Sequence, residues 1–252
     1  TLLSEVTGEV PASALKALER ALENGHLTFI NTGRTWCALP AVFKRMPFSG
    51  YVCGCGTYIQ FGDEVLLKRS IPVERGDEIV KVLRENQADM ILEGTEDCFV
   101  PERLSRFERL EGTRRYFKQM GLGIERYAEH GGLEFDKFVF YTDEKSGREA
   151  IFENLSRDMD LMDRRNGFYE AAPKGYSKGT GIAFILEHFG MKREDAYVFG
   201  DSSNDLAMFE YADHAIAMGA HSPVLDPYTE YVTGKVEEGG LAHALRHYGF
   251  IQ

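Results

Sequence analysis

The 252-residue sequence has little cysteine, tryptophan or proline (four, one and eight residues), and its 29 basic side chains are outnumbered by 40 acidic ones. Cys37, Cys53, Cys55 and Cys98 are too few for a disulfide-dense scaffold. Cys53-Gly54-Cys55 also lacks the two-residue gap of zinc knuckles and thioredoxin-type motifs. The four read as buried or half-buried thiols of a reducing compartment, with no metal role. A net charge of −11 is the wrong balance for a phosphate backbone, so no nucleic-acid partner is expected. No apolar run approaches a membrane span and no charged-then-apolar leader opens the sequence, so the expected location is cytoplasmic, with no membrane partner. The seven histidines are scattered. His243 and His247 have the four-residue spacing of a zinc helix but lack its glutamate, and read as solvated or capping residues.

What is present is the content of a soluble globular protein, 43% hydrophobic and 27% charged, long enough for one large domain or two modest ones. Leu15, Leu18 and Leu22 recur at helical spacing before Gly25, and a short strand over Leu27–Asn31 runs into Thr32-Gly33-Arg34. Trp36–Phe43 reads as a helix, Tyr51–Ile59 and Val65–Lys68 as strands around a Gly62-Asp63 turn. From Pro72 the texture changes to amphipathic helices such as Gly76–Glu85 alternating with short strands at Met90–Leu92, Lys137–Tyr141 and Phe168–Ala172. Past Pro173, helix Thr180–Phe189, strand Ala196–Phe199, a helix around Leu206, and strand Ala215–Met218 follow in strict alternation. Strand Tyr231–Thr233 and helix Leu241–Tyr248 complete it. Such alternation implies crossover connections and a parallel sheet, whose ligands sit at the carboxyl ends of the strands.

Thr32 and Asp201 both fall at such ends. Tyr197–Met208 reads YVFGDSSNDLAM, an apolar strand ending in Gly200-Asp201, then Asn204 and Asp205 before helical spacing resumes. Two carboxylates and an amide aimed at one spot suit a hard cation such as Mg2+, which takes few protein oxygens and keeps waters or phosphate oxygens. Helix capping is the competing explanation; it accounts for one of Ser203, Asn204 and Asp205, not for all. Lys178 precedes a helix whose free N–H groups favour an anion, and a lysine serves as a point charge for phosphate. Taken alone it fits a solvated loop lysine better. Thr32 and Gly33 offer a hydroxyl and amides to a phosphoryl oxygen, and Arg34 can fork onto the same group or onto a second anionic part of a substrate. Arg114-Arg115, Arg126 and Arg164-Arg165 read as surface salt-bridging residues.

The order Thr32-Gly33-Arg34, Ser177-Lys178-Gly179, then Gly200–Met208 resembles the haloacid dehalogenase-like (HAD) superfamily, and within it the Cof-type phosphatases. Members carry a second motif often written TGR, a third-motif lysine often written SKG, and a fourth motif GDxxNDxxM. The resemblance implies an α/β fold: a HAD-like Rossmannoid core with a central parallel sheet flanked by helices, plus an inserted α/β cap. The core would span 1–70 and 173–252 and the cap, which sets specificity, 71–172. It further implies a Mg2+-dependent phosphatase acting on a small phosphorylated metabolite, most plausibly a sugar phosphate, through an aspartyl-phosphate. The catalytic residues would be Thr32, Lys178 and Asp201, with Gly33, Arg34 and Asn204 also on substrate, and the metal held by Asp201, Asn204 and Asp205.

One departure bears on that expectation. The family's first motif, DxDGT, supplies the nucleophilic aspartate, and Thr1-Leu2-Leu3 resembles only its tail. Because the same motif ends the central buried strand of the sheet, the expectation is that this strand and both aspartates precede Thr1 in the whole protein. The alternatives are a phosphometabolite-binding protein without catalysis, and a phosphomutase or phosphotransferase sharing the aspartyl-phosphate step.

Overall fold

In a computed structural model of the chain, residues 1–4 and 6–252 are described. Helix α1 (Ala12–Glu23) buries Ala14, Ala17, Leu18 and Ala21 at helical spacing. Strand β1 (Phe29–Asn31) then runs parallel to β2 (Gly50–Cys53), which turns back through β3 (Tyr58–Phe61) and β4 (Glu64–Lys68) to give a first sheet ordered β1-β2-β3-β4. Two expectations fail in this stretch. Trp36–Phe43 forms successive turns and only a short 3-10 segment at Phe43–Arg45, because Pro40 lacks an amide donor and disfavours helical backbone before it. The expected strand over Tyr51–Ile59 is broken in two, since Gly54, Cys55 and Gly56 all take positive φ and reverse the chain. At Gly56 a side chain is excluded twice over: φ is +93° and a Cβ would stand 2.5 Å from the Ser177 carbonyl.

The middle of the chain supplies α2 (Val73–Glu85), β5 (Asp89–Glu93), β6 (Cys98–Phe99), α3 (Glu108–Gln119), β7 (Lys137–Tyr141), α4 (Arg148–Leu155), β8 (Met159–Asp163) and β9 (Phe168–Pro173). Its strands form one antiparallel sheet ordered β6-β5-β7-β9-β8. Alternation along β7 assigns the faces: Phe138 and Phe140 pack with Ile79 and Leu83 of α2 and Ile151 and Leu155 of α4. Val139 and Tyr141 face the other way, onto Leu110 and Phe117 of α3 and onto Ala38 from the loop after β1.

The last part returns to helix–strand alternation, with α5 (Lys178–Phe189), β10 (Tyr197–Gly200), α6 (Leu206–Tyr211), β11 (His214–Ala217), β12 (Tyr231–Val232) and α7 (Gly240–His247). The sheet β10-β11-β12 is parallel throughout, as the alternation implied. Among the described residues β1 pairs only with β2 and β10 only with β11, so each keeps an unpaired edge. Helix α5 links the two sheets: the Asn31 amide at the end of β1 donates to the Lys178 carbonyl at 2.9 Å, and α5 packs on α6 behind β10. Among the described residues no helix is long and apolar enough to cross a membrane.

The α5–α6 contact decides between two opposing effects at Gly179. Helix propensity favours Ala over Gly by about 1 kcal/mol, yet a Cβ there would meet the Ala207 carbonyl at 2.4 Å, a backbone atom that cannot rotate away. Gly179→Ala is therefore expected to lower stability, measured as a lower urea midpoint at unchanged slope; a raised midpoint would show that the helices do not pack this closely.

Candidate active site

The site grows from the amino end of α5. Ser177 caps this helix reciprocally with Thr180, its Oγ accepting the Thr180 N–H at 3.1 Å while Thr180 Oγ1 accepts the Ser177 N–H at 2.8 Å. Lys178 is thus the first helical residue rather than a loop residue, two positions earlier than the periodicity suggested, and its side chain is buried. Its Nζ donates to Asp205 Oδ1 at 2.6 Å. The second oxygen, Oδ2, accepts the backbone N–H groups of Asp201 at 2.9 Å and Ser202 at 3.0 Å. Both oxygens of Asp205 are therefore engaged, and one buried carboxylate fixes the lysine and the turn after β10 together.

That turn presents Asp201 and Asn204. Asp201 is half-buried; its Oδ2 accepts the Ser202 hydroxyl at 2.8 Å, and Oδ1 meets the amine and hydroxyl of Thr1. Asn204 is exposed on the same turn. At the end of β1, the Thr32 amide donates to the Val52 carbonyl at 2.8 Å and the Thr32 carbonyl accepts the Cys55 N–H at 3.2 Å, so the turn at Gly54–Gly56 steadies the end of β1. Thr32 Oγ1 accepts the Arg34 N–H at 3.2 Å, and Arg34 extends over the Tyr116 ring of α3. The three sequence segments thus gather at the carboxyl ends of β1 and β10.

The donor set is one test of whether Mg2+ fits. Among the described residues no three His, Cys, Asp or Glu side chains cluster as a metal cage. Mg2+ seldom takes one, binding through one or two carboxylates and keeping water. Asp201, Asn204 and Asp205 offer such hard oxygens on one turn, those of Asp205 already accepting Lys178 and two backbone N–H groups and Oδ2 of Asp201 the Ser202 hydroxyl. The donor types on this turn fit a hydrated Mg2+.

Sequence reasoning overlooked a second group of charges facing Gly33. Lys137, buried at the start of β7, ion-pairs with Glu170 of β9 and lies 3.7 Å from Glu93 of β5. Arg164 joins Glu170 at 2.6 Å, and Lys137 Nζ donates to the Gly33 carbonyl at 3.1 Å. Burial alone would raise the pKa of Glu170, but Lys137 and Arg164 bring it to about 2, whereas burial raises that of Glu93. Two of the arginines read as surface residues are corrected here. Arg164 belongs to this group, and Arg114 is buried against Glu111 and the carbonyls of Pro101 and Arg103. The available signal was a charged residue inside an otherwise apolar strand, KFVFY and FYEAAP, which demands a buried partner. The cysteines are all free, and burial pushes Cys53 up to about 12 and Cys55 to about 11, as expected of inert thiols.

Comparison with known proteins matches this architecture. The model of the haloacid dehalogenase-like hydrolase family covers residues 1–245. YkrA of Bacillus subtilis is 24% identical over 245 residues, 96% of this chain and 92% of its own length. From the same organism, 5-amino-6-(5-phospho-D-ribitylamino)uracil phosphatase YwtE is 23% identical over 257 residues, covering 93% of this chain and 90% of its own. The solved structure of the HAD subclass IIB sugar phosphatase BT4131 superposes with a TM-score of 0.81 at 26% identity, covering 100% of this chain and 96% of that one.

A buried pair such as Lys178–Asp205 is costly to break from one side, by about 3–5 kcal/mol. Asp205→Asn is expected to destabilise on that scale in urea denaturation. Lys178→Met combined with it should cost at least about 1 kcal/mol less than the sum of the single changes. Strict additivity would mean the two side chains are not coupled.

Proposed function

This chain belongs to the haloacid dehalogenase-like hydrolases, and on that premise we propose that it is a Mg2+-dependent phosphatase of a small phosphorylated metabolite, foremost a sugar phosphate. Phosphate-ester hydrolysis follows from the family and from relatives named as phosphatases. The observation that carries the rest is the convergence of Thr32, Lys178 and the Asp201–Asn204 turn, tied by the Asn31–Lys178 and Lys178–Asp205 bonds. In this reading a hydroxyl and an ammonium face an acidic wall suited to a cation.

In this reading the Thr32 hydroxyl and Lys178 Nζ hold equatorial phosphoryl oxygens as charge redistributes in a loose transition state. Asp201 and Asn204 hold Mg2+, which when bound neutralises charge on the phosphoryl group. Asp205 keeps Lys178 and the turn in register. The nucleophile is an aspartate upstream of Thr1, which attacks phosphorus to give an aspartyl-phosphate that water then hydrolyses. The unpaired edges of β1 and β10 offer pairing sites for a strand between them, which supports that placement.

Residues 71–172 act as the cap, with residues 1–70 and 173–252 as the catalytic core. The cap's own antiparallel sheet and core, and its reach to Gly33 and Arg34, support this division. A sugar phosphate is favoured because BT4131 is named a sugar phosphatase and the substrate in YwtE's name carries a phosphorylated ribityl chain.

A chromogenic phosphate ester offered to the chain with its upstream residues, with and without Mg2+, tests the reaction. Turnover should require Mg2+, and Asp201→Ala should reduce kcat by about 100-fold or more. Full turnover in that variant, or turnover indifferent to Mg2+, would contradict the assignment.

A further inference from the structure

Lys137 is an expensive residue to bury, since an ammonium group removed from water must find partners for its charge and its N–H donors. Within its own sheet it finds two carboxylates. Glu93 lies directly opposite it in the β5–β7 register, and Glu170 sits opposite Val139, one diagonal step away on the same face. Glu170 alone, held by Arg164 as well, forms the short contact that neutralises the lysine. The remaining donation does nothing for that sheet: it leaves the proposed cap and ends on the Gly33 carbonyl, 3.1 Å away in the core.

The Gly33 carbonyl and the Arg34 N–H belong to one planar peptide unit. Its oxygen is held by Lys137, and its N–H donates to Thr32 Oγ1 at 3.2 Å. The two units are in close contact here: a Cβ at Gly33 would stand 3.4 Å from Cys55 Sγ and 3.5 Å from Glu170 Oε1, ordinary van der Waals distances. With a lone pair of Thr32 Oγ1 occupied by the Arg34 N–H, the hydroxyl proton is free to donate outward.

We propose that Lys137 is a positioning residue for catalysis: from the cap it fixes the Gly33–Arg34 peptide and, through it, aims the Thr32 hydroxyl at the phosphoryl oxygen. Lys137 touches no reacting atom. On this reading the contact of the cap's Lys137–Glu170 pair with Gly33 couples the aim of the Thr32 hydroxyl to the position of the cap. This inference rests on the phosphatase reading and assigns that site a control element on a different sheet.

The test compares the chain with its upstream residues against Lys137→Met and the double variant Lys137→Met/Glu170→Met, the latter leaving no lone carboxylate at Glu170 beside the lost lysine. Circular dichroism and thermal melting establish that each is folded. Expected is a kcat reduced about 10- to 100-fold on an aryl phosphate, the scale of a small misplacement at the reacting centre, with KM changed less than about threefold. Weaker binding of inorganic phosphate with Mg2+, read by the emission of the single tryptophan, Trp36, should accompany it. A merely structural lysine would lower the melting temperature and leave kcat of the folded variant alone. A folded variant with wild-type kcat and phosphate affinity would overturn the inference, as would a double variant that cannot fold, since the pair would then serve the fold. Absence of turnover in the unmodified chain would instead sink the phosphatase reading, a result distinguishable from either.

Discussion

The arrangement depends on one buried carboxylate. Asp205 neutralises Lys178 with one oxygen and accepts two consecutive backbone N–H groups with the other. Neither partner tolerates burial alone: the ammonium would be left uncompensated, and the amides of Asp201 and Ser202 would lose their acceptor. The bond therefore dictates where the first turn of α5 sits relative to the turn after β10. Since the Lys178 carbonyl also receives the Asn31 amide, the end of β1 is drawn to the same point. A hydroxyl, an ammonium and hard oxygen donors are brought together by contacts that use one of the three N–H donors of Lys178 and leave the others for the proposed phosphate.

Close backbone approach is the second requirement, and glycine supplies it. Gly56 lets the turn after β2 pass against the Ser177 carbonyl, and Gly179 lets α5 lie on the Ala207 carbonyl. Between Gly54 and Gly56 stands Cys55, a non-glycine residue at φ +58°, where side chains are uncommon. Its amide supports the Thr32 carbonyl and its thiol faces Glu170, so the turn that breaks the expected strand also braces the proposed site from behind.

How much of this was legible in the sequence follows from the range of the forces involved. Thr32, Lys178 and Asp201–Asp205 were readable because each sits where an apolar strand or helix pattern meets a polar cluster, a local signal. The strand Lys137–Tyr141 was read with its bounds as observed, five buried residues in a row. The turn at Gly54–Gly56 was not, since the apolar residues on either side continue the strand pattern through it. Lys137, Glu93 and Glu170 escaped because their meaning lies in strand register: three charges on three strands are ordinary until β5, β7 and β9 are placed side by side. The turns at Trp36–Phe43 were the avoidable error, with Pro40 in plain view. Arg164 was assigned to the surface although the lone glutamate of the apolar run FYEAAP, six residues on, signals a buried carboxylate in need of a cation.

The central claim is that the Thr32, Lys178 and Asp201 segments form a single site that adds water to, and removes it from, a phosphoryl group. Its most direct measurement needs no knowledge of the natural substrate. Inorganic phosphate labelled with oxygen-18 is incubated in ordinary water with Mg2+ and the chain carrying its upstream residues, and the isotope content is followed. The account predicts progressive loss of label through reversal of the hydrolytic step, abolished by Lys178→Ala. Label that persists with the unmodified protein, or is lost equally with the variant, would contradict it.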